Sequence, residues 1–232
     1  GQEYIVKTIV TTELISAIAA HFKVTCLDTL TGFKYIAEKI RQLESTQTFI
    51  GGGEESYGYL IGDKVRDKDA VMSCAMIAEL TAWAKEQNKT LFDLLLDIWI
   101  KFGLYHEGLI SITKKGKAGA LEIQEIMNKL RNNPPIFLND FLVTEIIDYS
   151  NLTHLETKTK KILPLDSHKS NVLQFITEDG SRVSIRPSGT EPKIKIYFSV
   201  HSSLQSKSEL KEKKDQLDTQ ISKLSKSLLK HF

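Results

Sequence analysis

Short strand-like runs alternate with amphipathic helical runs over the first hundred residues, and this alternation constrains the fold more than any other feature. Strands are predicted at 4–10, 24–28 and 48–50. Apolar residues recur at helical spacing at 12–22, 33–43, 69–82 and 91–98. This order is typical of a mostly parallel sheet covered by helices. Residues 1–102 are therefore predicted to form an α/β/α sandwich with a mixed-to-parallel sheet.

Side-chain caps are predicted at the start of three of these helices, because Ser, Thr and Asp favour that position. The predicted caps are Thr12, Thr31 and Asp69. The third helix carries four apolar or small residues spaced for one face, namely Val71, Cys74, Ala78 and Ala82. Both cysteines, Cys26 and Cys74, are expected to be buried and reduced, since neither has a CxxC partner or nearby His ligands.

The pattern changes after residue 103. A strand is predicted at 109–113 and a helix at 118–132, followed by four closely spaced strand-like runs. Such runs suggest an antiparallel sheet. Apolar residues in the final segment, from Leu210 to Leu228, follow a helical stripe that favours a helix docked on a sheet over a coiled coil. Residues 103–232 are predicted to be an α+β domain with an antiparallel sheet and helices on one face.

Charge and hydropathy exclude several partners. The net charge is +2, which is too small to indicate nucleic acid or a membrane. The lysines of the final helix alternate with Asp and Glu, without the aromatic residues that stack on bases. No apolar run reaches the roughly 18 residues of a membrane span, and no secretory signal is visible. We expect a cytoplasmic protein that begins inside a longer chain, since residue 1 is Gly.

The connection between two predicted strands, RPSGTEPK at 186–193, concentrates groups that can hold a phosphate. Arg186 offers a planar fork for phosphate oxygens. Ser188 and Thr190 add hydroxyl donors, and Gly189 lets backbone N–H groups approach an anion. Pro-Ser-Gly also makes turns without any ligand, so plain turn chemistry is the alternative.

Two further loops are candidates for ligand binding. The segment FIGGGEESYGYL, at 49–60, follows the third strand, and its Glu54 and Ser56 could each hydrogen-bond a neighbouring polyol hydroxyl. A solvated acidic loop is the alternative. In TGFK, Lys34 falls in the first helical turn, which is the unfavourable end for a cation, so this lysine should exchange a proton more readily. A side chain that simply reaches into water is the alternative.

Together, TGFK at 31–34, GEESYG at 53–58, RDKD at 66–69 and RPSGTEPK resemble, in this order, the motifs of the α-D-phosphohexomutases. This family comprises phosphoglucomutases and phosphomannomutases, which are isomerases that act as intramolecular phosphotransferases in carbohydrate metabolism. The resemblance covers only the third and fourth of the family's four domains. The phosphoserine loop of the first domain and the Asp-rich magnesium loop of the second have no counterpart in this sequence.

The resemblance implies a role for each matched residue. Glu54 and Ser56 would bind the 3- and 4-hydroxyls of a phosphorylated hexose. The phosphate that is not reacting would be held by Arg186, Ser188, Gly189 and Thr190. Lys34 would be catalytic and move the proton of the attacking or leaving hydroxyl. The family's cofactors would be Mg²⁺, bound by the absent second domain, and a hexose 1,6-bisphosphate as activator and intermediate.

Three positions depart from the family pattern. Ala70 and Lys195 stand where many members have Gly and Arg, and Tyr57 favours glucose phosphates as substrates. Two interpretations remain open. The chain is either the substrate-binding half of a mutase, inactive without its N-terminal domains, or a stand-alone non-catalytic sugar-phosphate-binding module.

Overall fold

The computed structural model describes residues 2–189 and 191–232, and these form two compact units. The first unit comprises the residues up to Tyr105 together with Ser203–Leu210. The second comprises His106–Ser202 and Lys211–Phe232. The chain therefore passes between the units three times.

The first unit is built on a four-stranded sheet of order β2-β1-β3-β4. Its elements are β1 (Glu3–Thr8), α1 (Leu14–His21), β2 (Thr25–Thr29), α2 (Phe33–Leu43), β3 (Thr48–Glu54), β4 (Gly58–Ile61), α3 (Ala70–Glu86) and α4 (Leu91–Phe102). β1 pairs in parallel with β2 and β3, whereas β3 and β4 are antiparallel. The mixed-to-parallel sheet predicted from the sequence is confirmed.

The core of this unit forms where α2 packs on the sheet. The buried cluster consists of Tyr4, Val6, Phe33, Ile36, Ile40, Phe49 and Leu60. Most of these side chains come from alternate residues of β1 and from residues of α2 that are three or four positions apart. These spacings place apolar side chains on one face of a strand and on one face of a helix.

The segment 49–60, read from the sequence as a ligand loop, is a tight hairpin instead. β3 runs through all three glycines to Glu54 and turns directly into β4. A Cβ at Gly52 would lie 2.5 Å from the carbonyl oxygen of Val6. The glycines therefore serve close strand packing, and only the tip of the hairpin is available as a loop.

The stripe predicted for α3 is a true helix face, but it is exposed. Asp69 caps the helix as expected, with its carboxylate accepting from the Met72 N–H at 3.0 Å. Val71 is 82% exposed, and Cys74 is exposed as well. The prediction of two buried thiols is wrong for Cys74, while Cys26 is half-buried. Apolar residues lie on all sides of α3, so sequence spacing could not identify the buried side, which contains Ala84.

The second unit is built on a larger sheet of order β5-β12-β11-β10-β7-β8-β9, with β6 paired to β7. Its elements are β5 (Leu104–Thr113), α5 (Gly116–Asn132), β6 (Phe137–Leu138), β7 (Phe141–Asp148), β8 (Thr153–Glu156), β9 (Lys161–Pro164), β10 (Leu173–Thr177), β11 (Arg182–Pro187), β12 (Lys193–Ser202) and α6 (Leu210–Leu229). β7 to β12 pair antiparallel, which confirms the predicted sheet. The polar stretch at 156–161 is the turn of the β8–β9 hairpin.

The final helix docks on the sheet, as its apolar stripe predicted. Leu217, Leu224 and Leu228 of α6 are buried. A Cβ at Gly108 of β5 would lie 3.0 Å from the Ile221 side chain, so the glycine permits this close packing. Among the described residues, no helix is long and apolar enough to cross a lipid bilayer.

Candidate functional site

The tip of the β3–β4 hairpin carries the polar residues of the GEES motif. Glu54 ends β3 and is half-buried, whereas Ser56 and Tyr57 are exposed. Tyr57 has a φ of 65° and is 89% exposed, so the tip holds a residue in the left-handed region without burying it. The hairpin therefore presents one anchored carboxylate and one exposed hydroxyl.

Glu54 connects the hairpin to the TGFK segment. Its Oε2 accepts a hydrogen bond from the Gly32 N–H at 3.1 Å, and Gly32 is the N-cap residue of α2. The predicted cap at Thr31 is wrong, because Gly32 is the N-cap residue and has no side chain to accept a hydrogen bond from the helix. A carboxylate 22 residues away occupies the favourable, positive end of the helix instead.

RDKD adds a cation to the same place. A Cβ at Gly58 would lie 2.8 Å from Cδ of Lys68 and 3.0 Å from Cγ of Glu54, so Gly58 leaves room for both side chains. The Lys68 Nζ lies 5.3 Å from the centroid of the Phe33 ring, in α2. A hydrogen bond to Asp67 raises the pKa of Lys68 and so favours its charged form. The TGFK, GEES and RDKD segments thus meet at the start of α2.

Glu55 anchors the hairpin tip to the end of β1. Its Oε2 accepts hydrogen bonds from the hydroxyls of Thr8 at 3.0 Å and Thr11 at 3.3 Å. The two hydroxyls also lie 2.9 Å apart, and Thr8 is buried. Sequence reasoning gave Glu55 no role, although the hydroxyls of Thr8, at the end of β1, and Thr11, just after it, are potential donors.

Lys7 is a second residue that sequence reasoning missed. Its side chain is fully buried in β1 and forms ion pairs with Glu13 at 2.9 Å and Asp28 at 2.7 Å. In the strand register it lies level with Asp28 on one side and Gly53 on the other. The surrounding carboxylates offset the cost of burying its charge. Its signal in the sequence is a lysine inside an apolar strand, which excludes an ordinary core position.

Lys34 lies in the first turn of α2, as predicted. Its side chain is exposed, and Nζ lies 4.8 Å from the centroid of the neighbouring Tyr35 ring. The helix begins at Phe33, directly after the residue whose N–H donates to Glu54. The structure thus brings Lys34 to the same helix end as the hairpin carboxylate.

In the second unit, the predicted phosphate loop connects β11 and β12. Arg186 is directly opposite Lys195 in the antiparallel register, and both residues are half-buried. The Ser188 N–H donates to the Lys193 carbonyl at 2.7 Å, which closes the turn. Gly189 is exposed, with open space where a Cβ would be. Thr190 lies outside the described residues.

The start of α5 is attached to this loop. The Lys114 N–H donates to the Pro192 carbonyl at 2.8 Å. Lys115 is the N-cap residue of α5, and the first turn contains no acidic side chain. The Lys114 side chain, however, forms an ion pair with Glu122 of α5.

Within residues 2–189 and 191–232, no three His, Cys, Asp or Glu side chains are grouped closely enough to hold a metal ion.

Solved structures with the same fold are sugar-phosphate mutases by their titles. The exocytosis-sensitive phosphoprotein pp63/parafusin of Paramecium, a phosphoglucomutase, matches with a TM-score of 0.63 at 16% identity, over 98% of this chain and 38% of that one. A putative phosphomannomutase from Thermus thermophilus matches with a TM-score of 0.52 at 16% identity, over 93% of this chain and 36% of that one. The fold is thus that of the phosphohexomutase class.

Sequence comparison gives the family itself. The model for "Phosphoglucomutase/phosphomannomutase, alpha/beta/alpha domain III" matches residues 1–102, and the model for the C-terminal domain of the same family matches 115–217. The chain belongs to the phosphoglucomutase/phosphomannomutase family and represents its third and C-terminal domains.

Curated relatives are considerably longer than this chain. A phosphoglucomutase of Staphylococcus aureus (strain USA300) is 41% identical over 197 residues, which are 84% of this chain and 35% of the relative. One from Staphylococcus haemolyticus is 37% identical over 199 residues, which are 85% of this chain and 36% of the relative. The chain spans about a third of the length of these relatives.

Proposed function

We propose that this chain supplies the sugar-reading and phosphate-binding domains of a mutase that interconverts hexose 1-phosphate and hexose 6-phosphate. The observation that carries the proposal is the bond between Gly32 and Glu54, because it joins the TGFK and GEES segments at one sheet edge. Glucose phosphates are the preferred substrates in this proposal, since the curated relatives are named phosphoglucomutases.

Glu54 and Ser56 would bind adjacent sugar hydroxyls. Oε2 of Glu54 is held by Gly32, whereas Oε1 accepts no hydrogen bond within the described part of the chain. A carboxylate fixed through one oxygen presents the other in a defined direction, which suits a hydroxyl donor. Ser56, two residues further along the exposed tip, would take the neighbouring hydroxyl.

Arg186, Ser188, Gly189 and Thr190 would hold the phosphate that is not reacting. Arg186 lies on β11 and Ser188 lies in the turn, so the strand pairing supports the backbone positions of both residues. Arg186 would supply a bidentate, charge-assisted contact.

Lys34 would move the proton of the hydroxyl that attacks or leaves. It lies in the first turn of α2, at the helix end to which the Glu54 carboxylate of the hairpin is also bound. In the complete cycle, a phosphoserine of a preceding domain would transfer its phosphoryl group to a sugar hydroxyl, which loses its proton. The bisphosphate formed would turn over in the site and return its other phosphoryl group to the serine. Lys34→Met in a complete mutase should lower kcat more than it raises KM.

Magnesium would be bound by a preceding domain and would stabilise charge on the transferring phosphoryl group. Hexose 1,6-bisphosphate would serve as activator and intermediate. A pair of domains of this kind reads and holds the substrate, and the missing domains perform the transfer.

The test is a titration of the 232-residue chain with glucose 1-phosphate, glucose 6-phosphate, mannose 1-phosphate and free glucose, followed by backbone amide NMR. The phosphorylated sugars should shift amides of the 54–58 hairpin and of the 186–189 loop, and free glucose should bind far more weakly. Shifts confined to other surfaces, or none with any sugar phosphate, would exclude the proposed role.

A further inference from the structure

The helix α3 exposes a row of large apolar side chains. Successive members are four, four and three residues apart, which places them on one face of the helix, and all are exposed: Met72, Met76, Leu80 and Trp83. We call these four residues the Met–Trp face. Large contiguous apolar patches are rare on soluble monomers and mark sites of interaction. The face therefore calls for a partner.

The polar side chains of α3 would not oppose its burial. The hydroxyls of Ser73 and Thr81 each donate to the carbonyl four residues earlier, both at 2.6 Å. Such bonds satisfy a hydroxyl within the helix, so it can enter an apolar contact without losing a hydrogen bond. Glu79 is the only charged residue of α3 before Lys85. A partner can thus cover this helix with little loss of polar hydration.

Composition and length indicate which kind of partner fits. Helices that lie on membranes carry Lys and Arg on their polar face, whereas α3 has one lysine and two glutamates. Depletion of charge is typical of the core of a permanent interface between protein surfaces. In the phosphoglucomutase of Staphylococcus aureus, the matched segment is only 35% of the polypeptide. Most of such an enzyme therefore lies outside the matched part and is available to cover the helix.

We propose that the Met–Trp face of α3 is the surface on which a preceding domain of the complete mutase packs. The inference rests on the proposed function only in placing this chain within a complete mutase. α3 begins directly after the RDKD segment, and the Asp69 N–H donates to the Tyr59 carbonyl of β4 at 2.8 Å. The helix thus connects the docked domain to the hairpin that carries Glu54.

The experiment compares methionine oxidation by hydrogen peroxide in the 232-residue chain and in a complete mutase that contains it. The chain has three methionines: Met72 and Met76 lie on the Met–Trp face, and Met127 is buried in α5. Peptide mass spectrometry should find Met72 and Met76 oxidised rapidly in the chain alone. In the complete mutase both should react at least about tenfold more slowly, which corresponds to an opening free energy of about 1.4 kcal/mol. Met127 should react slowly in both proteins and is the internal control.

A charged substitution tests the same contact through stability. In the chain alone, Met76→Lys should have the same Tm as Ala78→Lys, the matched control at an exposed position on another side of α3. In the complete mutase, Met76→Lys should have a Tm lower than that of Ala78→Lys by about 2–4 °C or more, because a charge would enter an apolar contact. Equal Tm values in the complete mutase would contradict the proposed contact.

Equal oxidation of Met72 and Met76 in both proteins would overturn the inference, since the face would then be uncovered in the complete mutase. Protection that is already present in the chain alone would overturn it as well. Protection that depends on protein concentration would identify a second copy as the occupant, and protection that does not would mean that α3 packs on its own unit. The titration with sugar phosphates monitors the hairpin and the 186–189 loop, so failure of the proposed function is measured separately from failure of this contact.

Discussion

The carboxylate of Glu54 lies 3.1 Å from the backbone nitrogen of Gly32 and accepts its hydrogen bond at the N-terminus of α2. This contact fixes the hairpin tip to the helix that carries Lys34. Since a carboxylate at a helix N-terminus is stabilised by the helix dipole, the bond fixes both the hairpin and the helix end.

Replacing Glu54 with Gln should weaken binding of glucose 1-phosphate. The amide keeps the shape of the side chain but loses its charge, and a charge-assisted hydrogen bond is worth about 1.5–3 kcal/mol. A decrease of about tenfold or more in affinity is expected by isothermal titration. Glu79→Gln, an exposed carboxylate on α3, is the control. Unchanged affinity in Glu54→Gln would remove Glu54 from the proposed sugar site.

Replacing Arg186 with Ala in a complete mutase that contains these domains should weaken sugar-phosphate binding by about ten- to hundredfold, because a bidentate contact of about 1.5–3 kcal/mol is lost. Arg182, four residues earlier on β11, is the matched control and should have a far smaller effect. Titration of both variants with glucose 1-phosphate makes the comparison. If Arg186→Ala binds as the parent does, the loop is only a turn.

The 232-residue chain alone should not convert glucose 1-phosphate to glucose 6-phosphate. It matches the third and C-terminal domains of its family, whereas the phosphoserine and the magnesium loop are expected in the preceding ones. The assay supplies magnesium and glucose 1,6-bisphosphate and measures glucose 6-phosphate formed by the pure chain. Turnover above the background of an Arg186→Ala preparation would contradict this division of labour.

The contacts of Glu55 should restrict the motion of the hairpin tip. In Glu55→Gln the hydroxyls of Thr8 and Thr11 lose their charged acceptor, so amide hydrogen exchange at 55–58 should become faster while the β1 amides remain protected. Glu79→Gln again provides the control. Unaltered exchange at the tip would mean that the β3–β4 ladder alone holds it.

The two cysteines should react with thiol reagents at different rates. Burial raises the pKa of Cys26, so it carries less thiolate near pH 8 than a thiol with an ordinary pKa, whereas Cys74 is exposed on α3. Labelling by a disulfide reagent followed by peptide mass spectrometry should find Cys74 modified first. Raising the pH should increase the labelling rate of Cys26 in particular. Equal rates at about pH 8 would contradict the described burial.

The strand–helix alternation predicted the mixed-to-parallel sheet, and the closely spaced strand-like runs predicted the antiparallel one, although β4, β6, β8 and β9 were not predicted. Apolar spacing predicted α2, α5 and α6. The β3–β4 hairpin was missed because Gly51, Gly52 and Gly53 carry no side-chain pattern, and their function is close backbone packing. The exposed side of α3 was missed because a helix that is apolar on all sides gives no preferred face. At the site, motifs indicated Glu54 and Lys34, but the supporting contacts of Glu55 and Lys7 depend on residues up to 47 positions apart, which only the folded chain brings together.

The position of β5 has a consequence for how the protein is made. β5 ends at Thr113 and lies at the edge of its sheet beside β12, which begins only at Lys193. Ribosomes synthesise roughly 5–20 residues per second, so several seconds pass between the synthesis of β5 and that of its partner strand β12. The first unit, too, is complete only after Ser203–Leu210 has been synthesised. Because Ser203–Leu210 follows β12 in the sequence, the first unit gains its last contacts only after every strand of the second sheet has been synthesised.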